Sequence, residues 1–297
     1  MRLAAALLAV LVLALAGCGG DDGGGSGGDA ENLLKRGFAT DVDTGALTFQ
    51  MEVEVRGVEG LDGPLRLELD GPFRAAPSPT EMPDLDMDFE ASGAGQSFTG
   101  HVIVTRENGW IEFRGETYEV GEELWARVID FLRQSNSGRP KTFGDAGVDP
   151  LDWVDDAETD GEEEVGGTPT TKVTGKLDLE ALLRDSSKIS TQRLPESTLR
   201  DVNDVVDDVG FEAWIGEDDI WRRIRAETEF EVPEDERDSL GGMQGGRFSL
   251  DMELAEPNEP VEIEGPAEAR PIDELLRELG IPPEALLGPG FAQPTPG

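Results

Sequence analysis

Beyond residue 29, apolar and polar positions alternate with a period of two. Phe49, Met51, Val53 and Val55 alternate with Gln50, Glu52, Glu54 and Arg56. Leu65, Leu67 and Leu69 alternate with Arg66, Glu68 and Asp70. Leu85, Met87 and Phe89 alternate with Asp84, Asp86, Asp88 and Glu90, and Phe248, Leu250, Met252 and Leu254 with Ser249, Asp251 and Glu253. Such strands bury one face and wet the other, which predicts antiparallel sheet. Stretches near 96–105, 109–114, 117–120, 169–178, 210–215, 219–230 and 260–264 raise the expectation to about eleven strands. Gly109, Arg114-Gly115-Glu116, Asp70-Gly71-Pro72 and Gly216-Glu217-Asp218 read as turns between them. Helical spacing is rarer. Leu33, Leu34 and Phe38 suit a first helix. Leu124, Val128, Phe131 and Leu132 make one apolar stripe on a helix from about 121 to 135. Leu179, Leu182 and Leu183 suit another, Pro195 opens one bearing Leu199, Val202, Val205 and Val206, and Leu275, Leu276 and Leu279 form a last one after Pro271. With no repeat and no second composition regime, the pattern predicts one α+β domain over about 30–280. Residues 281–297, with five prolines and three glycines, read as a loose tail.

The first seventeen residues follow another rule. Arg2 supplies a positive start, and Ala4 to Ala16 is an unbroken apolar run of thirteen residues. That length suits an export signal and falls short of the roughly 20 residues of a spanning helix. The only cysteine, Cys18, follows directly. The string Leu15-Ala16-Gly17-Cys18 resembles the bacterial lipobox, in which the cysteine thiol receives diacylglycerol and becomes the mature N-terminus. The resemblance implies two acyl signals (palmitate among the usual chains) and a protein anchored on the extracytoplasmic face of the cell membrane. Residues 18–29 then read as the lipidated cysteine and a Gly-rich tether, whose reach is roughly 17–20 Å for random-coil statistics. Gly24 to Gly28 formally matches the G-x-S-x-G esterase pattern at Ser26, but low-complexity linker cannot supply the strand-turn-helix elbow that motif requires.

Composition removes several functions. The chain has 297 residues, 64 acids against 25 bases, and a formal charge of −39. Nucleic-acid binding needs clustered cations that are missing, and no basic patch assists membrane anchoring. One cysteine and one histidine exclude disulfide frameworks, Cys-rich zinc sites and any mechanism needing two histidines. The run Asp155 to Glu164 has seven acids in ten residues and reads as a solvated acidic loop. The calcium pattern begun by Asp156, Glu158 and Asp160 fails, because Gly167 stands where the bidentate glutamate belongs. The Asp84–Glu90 carboxylates read as the wet side of a strand, His101 as an ordinary strand residue, and the five tryptophans mostly as packing. No catalytic constellation, metal site or cofactor motif emerges, so the chain reads as a non-enzyme.

Several strings, in order, carry a family resemblance. Leu33-Leu34 open the mature domain on a helix. Val165 to Gly175 resembles a V-x-G-x-x-T-x-x-(V/I)-x-G strand, Ala213-Trp214-Ile215-Gly216 a V-W-I-D strand, and Ile220 to Ile224 its L-x-R-(I/L) continuation. Glu259 to Pro266 resembles x-P-V-x-I-x-x-P. Together they resemble the LppX/LprA/LprF/LprG family of actinobacterial lipoproteins, over about residues 31–267. The chain departs in its acidity and in Gly216, where Asp is common. The resemblance implies a LolA-like fold, a strongly curved antiparallel half-barrel covered by helices. It implies an apolar cavity that binds acylated lipid or glycolipid and carries it across the cell envelope. On that reading Leu124, Val128, Phe131 and Leu132 line part of the cavity, and the envelope transporter partner is unknown. The competing expectation is the same fold with a filled core, acting as an envelope sensor or interaction module.

Overall fold

The computed structural model describes residues 28–58, 63–78, 80–136, 145–189, 205–206, 208–238 and 240–281. The signal, Cys18, the Gly-rich run with Ser26, most of the helix expected after Pro195 and nearly all of the tail lie outside the described residues.

Alternation does what it dictates in β1 (Thr44–Arg56): Leu47, Phe49, Met51, Val53 and Val55 are all buried, and the polar residues between them are not. The other strands are β2 (Leu65–Arg74), β3 (Asp84–Gly93), β4 (Gln96–Val104), β5 (Gly109–Phe113), β6 (Glu116–Glu119), β7 (Val154–Val165), β8 (Thr168–Leu177), β9 (Gly210–Gly216), β10 (Trp221–Glu231), β11 (Gly245–Ala255) and β12 (Arg270–Pro271). They form one curved, unclosed sheet ordered β12-β6-β5-β4-β3-β2-β1-β11-β10-β9-β8-β7. Every pairing is antiparallel except the two-residue parallel contact of β12 with β6. The chain builds outward from β1 to one edge, then starts again at the other edge and returns to pair β11 with β1.

Register carries one apolar face across the sheet, because directly paired residues share a face. Phe49 sits between Leu69 and Met252, Leu69 beside Phe89, and Met252 beside Ile224, which faces Ala213. Among the described residues, four helices lie on this inner face. The first, α1 (Asp29–Ala39), places Ala30 and Leu34 on Val173, Phe211, Ala213 and Ile215. In α2 (Glu122–Asn136) the Trp125 ring lies over Gly109 of β5. In α3 (Leu179–Ile189) Leu183 joins Phe49, Met252 and Phe230, together with Val205, Val206 and Val209. The last, α4 (Ile272–Leu279), joins Leu124 over Tyr118.

The structure departs from the pattern in four places. The acidic run is not a loop but β7, an edge strand. Its acids are exposed, and register shifts at Asp155/Glu158 and Thr159/Glu162, near Asp156 (φ 54°) and Gly161 (φ 84°), absorb residues that cannot pair. An edge strand with one neighbour needs few apolar positions, so alternation is a weak signal there. Residues 260–264 form no strand. Side chains hold that segment instead: Arg74 donates to the Val261 carbonyl at 2.7 Å, Thr44 to that of Glu259 at 2.7 Å, and Gly265 packs on Trp110. Asp70-Gly71-Pro72 lies within β2 rather than in a turn. Gly71, at φ 151°, brings the strand so close to the Asp86 carbonyl that a Cβ would lie 2.0 Å from its oxygen. Gly109 opens β5, while the turn before it is closed by Asn108, whose side chain accepts from Gly109 and Gly121 N–H.

Candidate functional site

The inner face is covered unevenly. At β1 it is buried throughout. On the same face of β2, Leu65, Leu67, Leu69 and Phe73 are only half-buried. The half-open strip continues through Leu85, Phe89 and Ala91 of β3, interrupted by the buried Met87, and through Val102 and Val104 of β4 to Ile111 and Phe113 of β5. Phe98, paired with Ala91 at the start of β4, is 53% exposed. The glycines of the strip accommodate rings: Phe89 lies over Gly100, so that a Cβ there would come within 2.6 Å of it. Among the described residues, α3 and Val205–Val206 cover the middle of the sheet, and α2 with α4 covers its β5–β6 end, with the strip between them.

Of the four residues expected to line a cavity, Leu124 is buried against Tyr118, Ile272, Leu275 and Leu276, and Val128 packs at the edge of that cluster with Ile111 and Phe113. One turn further along α2, Leu132 is half-buried and Phe131 is 37% exposed. The stripe is therefore split between a helix–helix contact and a flank open to solvent. The sequence marks Leu65, Leu67, Leu69, Leu85 and Phe89 only as strand residues. Their alternation is identical to that of β1, and no local signal distinguishes an apolar residue that a helix covers from one that it leaves half open.

The outer face is polar and paired. His101 lies between two carboxylates, Nε2 2.9 Å from Asp86 and Nδ1 2.8 Å from Asp88. Asp84 breaks the expectation of a wet strand side. It is 6% exposed, bound by Arg74 at 2.7 Å and by the Arg106 N–H at 3.2 Å, because the segment around Val261 closes over that corner. Trp214 is 3% exposed although it faces outward, since register places Lys172 and Arg223 on either side of it. Lys172, Arg223 and Arg225 lie 5.2, 5.5 and 5.7 Å from its ring centre, and its Nε1–H donates to Glu163 at 2.9 Å. The alternation of Arg223 and Arg225 signals a shared outward face, but not the ring between the cations. Burial raises the Asp251 pKa, yet hydrogen bonds from Arg223 and Arg225 outweigh it and hold the carboxyl below its ordinary value. The hydrogen bond to Glu212 pushes the Lys172 ammonium up. Beside this network a cleft of about 290 Å³ is lined by eight polar or charged residues, among them Glu52, Arg66, Glu68, Arg225, Glu227 and Asp251, and by two apolar ones, Met51 and Leu250. Arg66–Glu52 at 2.6 Å and Arg225–Asp251 at 3.0 Å pair four of its six charges, and so polar a lining does not suit an acyl chain.

No family model matches the chain, and no curated protein matches it. Solved structures do. The chain is similar to the lipoprotein LppX of Mycobacterium tuberculosis, at 14% identity and a TM-score of 0.39 over 79% of this chain and 98% of that one. It is similar to LprF of Mycobacterium bovis, at 11% identity and a TM-score of 0.36 over 89% of this chain and 98% of that one. MucB, solved in complex with MucA, is similar at 13% identity and a TM-score of 0.28 over 82% of this chain and 61% of that one. LppX and LprF are two members of the family that the sequence strings resemble.

Proposed function

We propose that this chain is a membrane-anchored, extracytoplasmic lipoprotein that holds the acyl chains of a lipid or glycolipid on the β2–β5 strip and carries them through the envelope. One observation carries the reading: the strip is apolar, lies on the helix-covered face, and is half-buried where the adjoining β1 residues are fully buried. An acyl chain laid there removes apolar surface from water, and each buried methylene contributes roughly 0.8 kcal/mol. Affinity of this kind needs shape and area rather than a catalytic group. The lipobox string at Cys18 and the resemblance of the sequence strings to envelope lipoproteins support the placement and the cargo class.

The test is native mass spectrometry of the protein expressed without its first eighteen residues, and so without Cys18 and its lipid. Lipid of discrete mass should co-purify with it. Replacing Leu67 and Leu69 by Trp places indoles in the strip, and should remove the lipid while leaving the melting temperature within a few degrees. A parent that never carries lipid, together with a variant that is sharply destabilised, means that the strip is closed core and the carrier reading is wrong.

A further inference from the structure

The apolar stripe of α4 outruns its cover. Ile272, Leu275 and Leu276 are buried with Tyr118 and Leu124, but Leu279, one turn further on the same face, is 46% exposed, and Ile281 is 39% exposed. The stripe of α2 likewise loses its cover towards its C-terminus, from buried Leu124 through half-buried Val128 to exposed Phe131. The cluster that the two helices share also takes in Ile111 and Phe113, the β5 residues that end the half-open strip.

The chain leaves α4 beside that cluster. Gly280, at φ 67°, ends the helix, and the Ile281 N–H returns to the Leu276 carbonyl at 2.8 Å. This turn sets Ile281 next to the buried Leu276 instead of carrying the backbone on along the helix axis. Sixteen residues follow, Pro282 to Gly297, and Glu284 is their only charged side chain in a protein with 30% charged residues. Leu286, Leu287 and Phe291 stand among them, and Pro282, Pro283 and Pro289 favour extended backbone. Sixteen extended residues span about 55 Å, against roughly 14 Å for the three strand spacings from β2 to β5.

We infer that residues 282–297 dock on the half-open β2–β5 strip and cover it with Leu286, Leu287 and Phe291 when no lipid is bound. A consequence rests on the carrier reading: an acyl chain has to displace this segment to enter. Composition selects the occupant. A charged segment would have to bury its side chains on the strip, which is costly without partners. This one brings a single carboxylate, next to the helix end and ahead of its apolar residues. Being tethered, it competes at an effective concentration of order millimolar. The apparent affinity for lipid then falls in proportion to the fraction of molecules whose strip is open.

The test uses the protein expressed without its first eighteen residues, which then contains no cysteine. Leu67→Cys with Leu287→Cys should form an intramolecular disulfide under mild oxidation. It should do so several-fold faster than Glu68→Cys with Leu287→Cys, because Glu68 is the next residue of β2 and lies on the opposite face. The lipid probe is cis-parinaric acid, read by its fluorescence. Removing residues 282–297 should tighten its binding several-fold. The triple variant Leu286→Asp, Leu287→Asp and Phe291→Asp should do the same at full tail length, and both variants should unfold as cooperatively as the parent. Equal cross-linking at positions 67 and 68 overturns the docking. Probe binding that neither tail variant changes overturns the competition with lipid. Selective cross-linking in a protein that binds no probe, with or without its tail, upholds the docking and overturns the carrier reading instead.

Discussion

Asp185 is 2% exposed, accepts the Trp153 indole N–H at 3.2 Å, and has Lys188 Nζ 2.6 Å from its other oxygen. It fastens α3, which covers the middle of the core, to the 3-10 helix Pro150–Trp153 that leads into β7. Asp185→Ala leaves a buried indole donor without its acceptor and should cost roughly 2–3 kcal/mol in urea unfolding. Asp251 behaves differently because it titrates near the surface. Its folded pKa lies below the ordinary value of 3.8. The unfolded chain therefore takes up the proton first as pH falls, and the contribution is present above about pH 4 and lost below it. Wild type should exceed Asp251→Asn in stability at pH 7, and the gap should narrow progressively as pH falls below about 4. A gap of unchanged size would mean that Arg223 and Arg225 do not depress this carboxyl.

Among the elements, β7 presents a long unpaired edge at one side of the sheet. Exposed edges template association, and charges together with bulges are the usual defence. Replacing Asp155, Glu158, Glu162 and Glu164 by Thr keeps strand propensity and removes the repulsion. Such a variant should self-associate at concentrations where wild type is monodisperse by analytical ultracentrifugation. The second helix depends on a close approach. A Cβ at Gly109 would lie 2.8 Å from the Trp125 ring, whose Nε1–H donates to the Arg106 carbonyl at 3.3 Å. Gly109→Val should push α2 off β5 and cost roughly 1–3 kcal/mol, as overpacking does. Thermal unfolding measures this directly.

Over the molecule as a whole, a charge of −39 repels itself in the compact state. Salt shortens the screening length to about 10 Å at roughly 0.1 M, so the melting temperature should rise between about 10 mM and about 300 mM sodium chloride. Calcium chloride at matched ionic strength should add little. A saturable micromolar calcium isotherm would point instead to a specific site. Calorimetry in the two salts separates screening from binding.

Local pattern is enough for every element whose neighbours repeat it. Alternation in β1, β2, β3 and β11, and the apolar stripes of α1, α2 and α4, follow directly from burying one face. The same locality hides β7: an edge strand is specified by its single partner, and seven acids conceal it. Residues 260–264 mislead in the opposite way, since their alternation is satisfied by Arg74, Thr44 and Trp110 rather than by a ladder. How far the apolar face is covered is written in no local pattern. Leu67 and Met51 are paired across β1–β2 and share one face and one pattern, yet Met51 is buried and Leu67 half-open. That difference depends on where α2, α3 and α4 come to rest, which is a packing property of distant segments. The pose of Trp214 between three cations has the same origin, because register between β8, β9 and β10 assembles it from segments far apart along the chain.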